Sequence, residues 1–270
     1  YTFTESTSPA LYKTMQPFAI KVNNDGTLTL TDTTRTDVTV SGSTITAKNI
    51  SLHAGMTLSK LDDTDNSALT AGKTTFNLTG PASFNGGTAK QMITDAAGKI
   101  SISDLPKGDY TLTETATDGN YVNDSFTATF TVSDDCKDQT LTINSTNIGK
   151  TPFNLAVTTD AAHLKAGGLT NARQTGTVNV EKLGENGALT GVEFALYTDK
   201  DVQAGSSQKT DVNGKLKFSG LTWGSYYLKE TAAPAGYILD TTHYAFTIGY
   251  DALTKNFTSA ANAAITNTQN

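Results

Sequence analysis

One spaced motif recurs three times along this chain. Tyr226-Tyr-Leu228-Lys-Glu230 is followed by Tyr237, Tyr110-Thr-Leu112-Thr-Glu114 by Tyr121, and Tyr1-Thr-Phe3-Thr-Glu5 by Tyr12. In every copy the closing tyrosine stands seven residues after the Glu. Strand alternation puts Tyr226, Leu228 and Glu230 on one face. A carboxylate on an apolar face constrains the fold more than any other feature here. Buried and ionised it is costly, so it must be paired, protonated or reactive.

Placing Glu114 over Glu230 aligns the flanking sequence without a gap. Thr94-Asp95-Ala-Ala-Gly98-Lys99 falls on Thr210-Asp211-Val-Asn-Gly214-Lys215, Leu105 on Leu221, and Gly108 on Gly224. Farther upstream, Lys60-Leu61 with Ala68-Leu69 and Phe76 matches Lys182-Leu183 with Ala188-Leu189 and Phe194. An Asn precedes each of these lysines by eleven residues: Asn49 before Lys60 and Asn171 before Lys182. The C-terminal Ile265-Thr266-Asn267 resembles Leu169-Thr170-Asn171. The order within a module is therefore Lys, Glu, Asn. This divides the chain into residues 1–50, the back half of a module holding Glu5 and Asn49; residues 51–172, with Lys60, Glu114 and Asn171; and residues 173–270, with Lys182, Glu230 and Asn267. The middle module carries extra sequence, expected over about 132–165. Tyr1 heads a glutamate strand, so the first module is expected to lack its front half.

Short alternating strands with Gly, Asn and Asp turns predict an all-β chain of tandem Ig-like β-sandwich domains. The clusters Asp160–Lys165 and Ser259–Ala264 are long enough for no more than a turn of helix. A composition of 17% charged and 37% apolar residues suits sandwiches with polar outer faces. The net charge of −6 argues against nucleic acid and anionic membranes as partners. No apolar run approaches the roughly 18 residues of a membrane span. Cys136 stands alone, which excludes an internal disulfide and a multi-cysteine zinc site. It is expected as a plain loop residue.

Three buried groups of this kind have a definite chemistry. Desolvation lowers the pKa of a Lys, leaving neutral, nucleophilic amine, and raises that of a Glu, which then holds a proton. A neutral amine beside an Asn carboxamide, with a protonated Glu polarising the carbonyl, can transamidate. Ammonia leaves and a Lys–Asn isopeptide bond remains, the Glu acting as general acid and base.

The segment Leu228-Lys-Glu230-Thr-Ala-Ala-Pro234-Ala-Gly236-Tyr237, with Lys182 and Ile265-Thr266-Asn267, resembles the E-box and bond-forming residues of CnaB-type domains. These are found in sortase-assembled pilins and adhesin stalks of Gram-positive surface proteins. The middle module resembles them at Lys60, Glu114 and Asn171, but has Asp118 where the E-box has Pro. The first resembles them at Glu5, Pro9 and Asn49. The resemblance implies autocatalytic bonds Lys182–Asn267, promoted by Glu230, and Lys60–Asn171, promoted by Glu114. Asn144, in Thr142-Ile143-Asn144, competes with Asn171 because the extra sequence displaces the closing segment. For Asn49 the resemblance implies a Lys outside this chain, with Glu5 as the acid.

The resulting expectation is a structural subunit of a cell-surface pilus or adhesin stalk. It is localised to the cell wall, partnered by neighbouring pilin or surface-protein subunits, and has no cofactor, no metal and no multiple-turnover activity. A module binding a host extracellular-matrix ligand directly, or accessory modules of a secreted enzyme, are the alternatives. His53, His163 and His243 share no ligand-type spacing and are expected as satisfied or exposed residues. Asp62-Asp63-Thr-Asp65-Asn66 resembles a calcium loop but lacks the downstream bidentate Glu, so a solvated turn is expected. Trp223 is expected to pack over a sandwich end. No Gly-x-Ser-x-Gly elbow or Walker-type loop occurs.

Overall fold

The computed structural model describes residues 1–9, 12–50, 53–69 and 74–269. The chain is built of strands; helix is limited, among the described residues, to short 3-10 turns. Two such turns, Ala161–His163 and Ser259–Ala261, occupy the predicted Ala-rich clusters. No helix among the described residues is long and apolar enough to cross a membrane. Contacts divide the chain into two compact units. One comprises Tyr1–Asp118 and Asn123–Asn171, the other Gly119–Val122 and Ala172–Asn270.

In the first unit, strand His53–Asp62 buries Met56, Leu58, Lys60 and Asp62 by strict alternation. It pairs antiparallel with Lys99–Pro106 and parallel with both Thr140–Thr142 and Gly168–Asn171. The facing sheet has the order Ala156–Thr159, Thr127–Val132, Gly108–Ala116, Thr75–Thr79, Lys90–Ile93. Phe76, Leu78, Leu112, Phe130 and Leu105 fill the space between the sheets. The second unit repeats the plan. Gly176–Gly184 pairs antiparallel with Lys215–Leu221 and parallel with Thr254–Phe257 and Ile265–Thr266. Opposite it lies the sheet Gln208–Lys209, Glu193–Thr198, Gly224–Ala232, His243–Ile248. Its core is formed by Val178, Val180, Phe194, Leu228 and Ile248.

The residues ahead of His53 form a smaller arrangement. Thr2–Phe3, Phe18–Val22 and Leu28–Leu30 make one sheet, and Val38–Ser41 with Thr44–Ala47 make a hairpin. Tyr1 is 84% exposed, whereas its counterparts Tyr110 and Tyr226 are buried. Phe3, 43% exposed, stacks on Phe18 with ring centroids 5.3 Å apart.

Strand register relocates the extra sequence. Thr140–Thr142 runs beside Gly55–Thr57 as Thr254–Asn256 runs beside Thr177–Asn179. The 3-10 turns Ser145–Asn147 and Ser259–Ala261 follow at matching positions. Residues from Val132 to Asn147 thus have counterparts in the other module. The true excess lies between Ile148 and Gly168, and includes strand Ala156–Thr159, which extends the glutamate sheet. Sequence alone could not separate them, because strands Thr140–Thr142 and Thr254–Phe257 share a ladder position but almost no side chains. Cys136 is fully buried in the core rather than in an open loop, with Sγ 3.7 Å from the Thr131 carbonyl. Small and weakly polar, a thiol is readily buried.

Candidate functional site

Each complete module brings a Lys, a Glu and an Asn to one buried point, and local structure explains how. Lys60 and Lys182 are the inward residues next in alternation after Leu58 and Val180. A hairpin turn holds each lysine's backbone: Lys60 N donates to the Gly98 carbonyl and Lys182 N to that of Gly214, both at 2.7 Å. Gly98 has φ of +68°, and a Cβ there would lie 2.5 Å from the Leu69 carbonyl oxygen. Only glycine combines that backbone with that approach. Asp95 shapes the turn, accepting from Ala97 N at 2.8 Å and Lys99 N at 2.9 Å.

The asparagines arrive on the parallel neighbour strand. Leu169 pairs with Lys60 and Asn171 with Asp62, while Ile265 pairs with Lys182. Asn is thus two residues beyond the lysine's partner and on the same face. The glutamates cross from the opposite sheet, after Tyr110 and Leu112 or Tyr226 and Leu228 on the buried face.

In the middle module Lys60 Nζ lies 2.9 Å from Glu114 Oε2 and donates to Asn171 Oδ1. Asn171 Nδ2 donates to Glu114 Oε1 at 2.7 Å. In the last module Lys182 Nζ lies 3.0 Å from Glu230 Oε2, and Asn267 Nδ2 donates to Glu230 Oε1 at 2.8 Å. Both lysines are completely buried, and burial pushes both ammonium groups below their ordinary pKa against the opposing pull of the glutamates. Lys182 Nζ, Glu230 Oε2 and Glu114 Oε2 have only their ion-pair contacts, and Asn267 Oδ1 is buried without a hydrogen-bond partner. Groups left so cost stability.

Asn144 is elsewhere. Its side chain caps the turn Ser145–Asn147, accepting from Thr146 N at 3.1 Å and Thr146 Oγ1 at 2.8 Å. In the first segment Asn49 Nδ2 donates to Glu5 Oε1 at 2.5 Å, and Met15 N to Glu5 Oε2 at 2.6 Å. The Met15 and Asn49 bonds hold the Glu5 carboxyl below its usual range. The pair is partly exposed and, among the described residues, no lysine ammonium is paired with it.

The recurring tyrosine marks a further shared feature. The residue after it donates its backbone N–H to the carbonyl of the residue after the Asn: Lys13 to Ile50, Val122 to Ala172 and Ile238 to Thr268, at 2.8, 2.8 and 3.0 Å. The spacing of Glu and Tyr thus pins the end of the asparagine strand. Tyr121 also packs with Trp223 in the second unit, where Arg173 stacks 4.5 Å from the indole.

One site residue escapes sequence reading. Asp240 Oδ2 lies 3.8 Å from Lys182 Nζ. It accepts from Tyr244 Oη, and its other oxygen accepts from Thr242 N at 2.9 Å. Burial works to raise its pKa, but these bonds and Lys182 outweigh it and the carboxyl sits below its ordinary value. Its signal was present: Asp240 and Asp124 each stand ten residues after their module's glutamate. The loop Asp62–Asn66 is a hydrogen-bonded turn, with Thr64 N on Asp62 Oδ1 at 2.7 Å and Ser67 N on Asp65 Oδ1 at 2.9 Å.

Among solved structures, the chain is similar in fold to the Bacillus anthracis TIE protein, at 20% identity and TM-score 0.47, covering 86% of this chain. It spans 37% of that protein's length. A streptococcal ancillary pilin matches at 19% identity and TM-score 0.34, over 94% of this chain and 75% of its own. BcpA, the major pilin subunit of Bacillus cereus, matches at 16% and TM-score 0.33, over 81% of this chain and 100% of its own. No curated protein sequence matches. A profile of the SpaA prealbumin-like fold domain matches residues 54–147 and 176–262. Those stretches make up well over half the sequence and include the lysine and glutamate strands of both complete modules, so the chain belongs to the family of SpaA prealbumin-like fold domains in tandem.

Proposed function

We propose that this chain is a structural segment of a Gram-positive cell-surface pilus or adhesin stalk. Its modules 51–172 and 173–270 each form a Lys–Asn isopeptide bond autocatalytically. The observation that carries the reading is a buried Glu that, in both modules, meets the Lys through Oε2 and the Asn through Oε1.

The reaction balances within each triad. The Lys ammonium passes a proton to the carboxylate oxygen beside it. The neutral Nζ then attacks the Asn Cγ, forming the N–Cγ bond. The second carboxylate oxygen already faces Nδ2, so the Glu can protonate the leaving nitrogen as the Cγ–Nδ2 bond breaks. Nζ passes its second proton to the Glu, Nδ2 departs as ammonia, a secondary amide remains, and that proton stays on the Glu. The product replaces a buried ammonium–carboxylate pair with a neutral amide beside a neutral carboxyl group. That change favours the bonded state in a dry interior.

Because the lysine and asparagine strands are the first and last of a module, the bond would carry tension past the sandwich rather than through it. This suits a shaft. Pilin or surface-protein neighbours are the corresponding partners and the cell wall the corresponding location. Intact mass tests the reading. Each bond lowers the mass by about 17 Da, the ammonia lost, so the chain should weigh about twice that below its calculated value. The full calculated mass would overturn the proposal.

A further inference from the structure

We propose that Asp124, Asp160 and His163 form a binding site for a divalent transition-metal cation, which ties the extra segment between Ile148 and Gly168 to the body of the middle module. One nitrogen and two carboxylate oxygens from these residues all lie within 4.8 Å of one another. His163 Nδ1 is 3.0 Å from Asp124 Oδ2 and 3.9 Å from Asp160 Oδ2. Ligands about 2.0–2.2 Å from one ion sit roughly 3–3.5 Å apart, so small side-chain movements close the set.

A second observation concerns the burial and alignment of these atoms. Asp124 Oδ2, Asp160 Oδ2 and His163 Nδ1 are each shut off from solvent, and none makes a hydrogen bond. Donors and acceptors at this spacing normally align on each other; the 3.0 Å approach of His163 Nδ1 to Asp124 Oδ2 lacks that alignment.

The other module serves as an internal control. Asp240 occupies the place of Asp124 and is satisfied by Tyr244 and Thr242. At the corresponding positions the middle module has Ala128 and Phe126, which supply no side-chain donor. The extra segment supplies Asp160 and His163, both metal-ligating types, and His163 stands three residues after Asp160 on one turn. Thr170 Oγ1, next to Asn171, is 3.0 Å from the His163 carbonyl and holds that turn in place. One imidazole and two carboxylates suit zinc and its first-row neighbours better than the all-oxygen preference of calcium or magnesium.

The inference does not depend on the crosslinking reading, since the three residues lie outside the Lys–Glu–Asn set and intact mass reports that reaction separately. Zinc chloride titrated into the untagged chain by calorimetry is the test. The expected result is one ion per chain, with affinity reduced at least about tenfold in His163→Gln and Asp160→Asn. Circular dichroism checks that the variants fold. In the unsubstituted chain, NMR should show zinc shifting the His163 imidazole resonances before those of His53 and His243. Absence of saturable binding, equal binding by folded variants, or a first response at His53 or His243 would overturn it.

Discussion

Lys182 Nζ and Glu230 Oε2 lie 3.0 Å apart, with both side chains shut off from solvent. The contact joins the two sheets of one sandwich across its core, and Lys60 with Glu114 repeats it at 2.9 Å. Removing one partner of such a pair leaves the other charge buried and alone, at a cost of about 3–5 kcal/mol. A triad that reacts escapes that vulnerability, because its product is uncharged.

Glu230→Ala should shrink the deficit between measured and calculated mass by about 17 Da, and Glu114→Ala should do the same. The double substitution should return the calculated unmodified mass. A parent chain and double variant of equal mass, after correction for the substitutions, would exclude self-crosslinking.

Asn171 and Asn144 should behave differently. Asn171 touches both Lys60 and Glu114, while Asn144 caps a turn. Asn171→Ala should remove one ammonia loss and Asn144→Ala none. Peptide mapping should then recover a branched peptide containing Lys60 and Asn171.

Loss of a bond should lower stability. By analogy with disulfides, closing a loop of roughly a hundred residues contributes about 4–5 kcal/mol through the unfolded state. Glu114→Gln, close in shape to the parent residue, should therefore melt well below the parent in calorimetry. Equal melting temperatures with the bond lost would show that the linkage adds no thermal stability.

The unbonded chain should have a distinctive pH response. Burial lowers the folded-state pKa of Lys60 and Lys182 below the ordinary 10.5, so the unfolded state binds more protons in between. Stability of the Asn171→Ala, Asn267→Ala double variant should rise as pH increases from the lowered values towards 10.5, fall as pH drops back through that window, and level off below it. Measurements should stop before tyrosine ionises, because Tyr110 and Tyr244 have raised pKa values and act in the opposite direction. In the bonded chain the lysines no longer titrate. Urea melts across this range should then be flat for the parent and sloped for the variant.

Glu5 and Asn49 form a two-residue version of the site. The isolated chain should therefore lose ammonia at its two complete triads, and Glu5→Ala should leave the mass deficit unchanged. A Lys-bearing partner strand supplied in trans should add a covalent species on a denaturing gel that Glu5→Ala abolishes.

The sequence by itself determined the strand-rich architecture, the repeat and the candidate Lys and Glu of each complete module. It could do so because strand alternation has period two: an inward Glu or Lys among Tyr, Leu and Val is visible as a break in pattern. It also held the Glu-to-Tyr spacing, although not its purpose, which is a backbone hydrogen bond beside the Asn. Tertiary structure decided what depends on contacts between distant strands. The parallel register of Gly168–Asn171 against His53–Asp62 selects Asn171 over Asn144 as the neighbour of Lys60. Ladder position, rather than composition, narrows the extra segment from the expected 132–165 to the stretch between Ile148 and Gly168. Packing buries Cys136 and gathers Asp124, Asp160 and His163, whose ligand atoms meet only after the chain has crossed both sheets. Local pattern encodes which way a side chain faces. What it faces is set by the pairing of strands far apart in sequence.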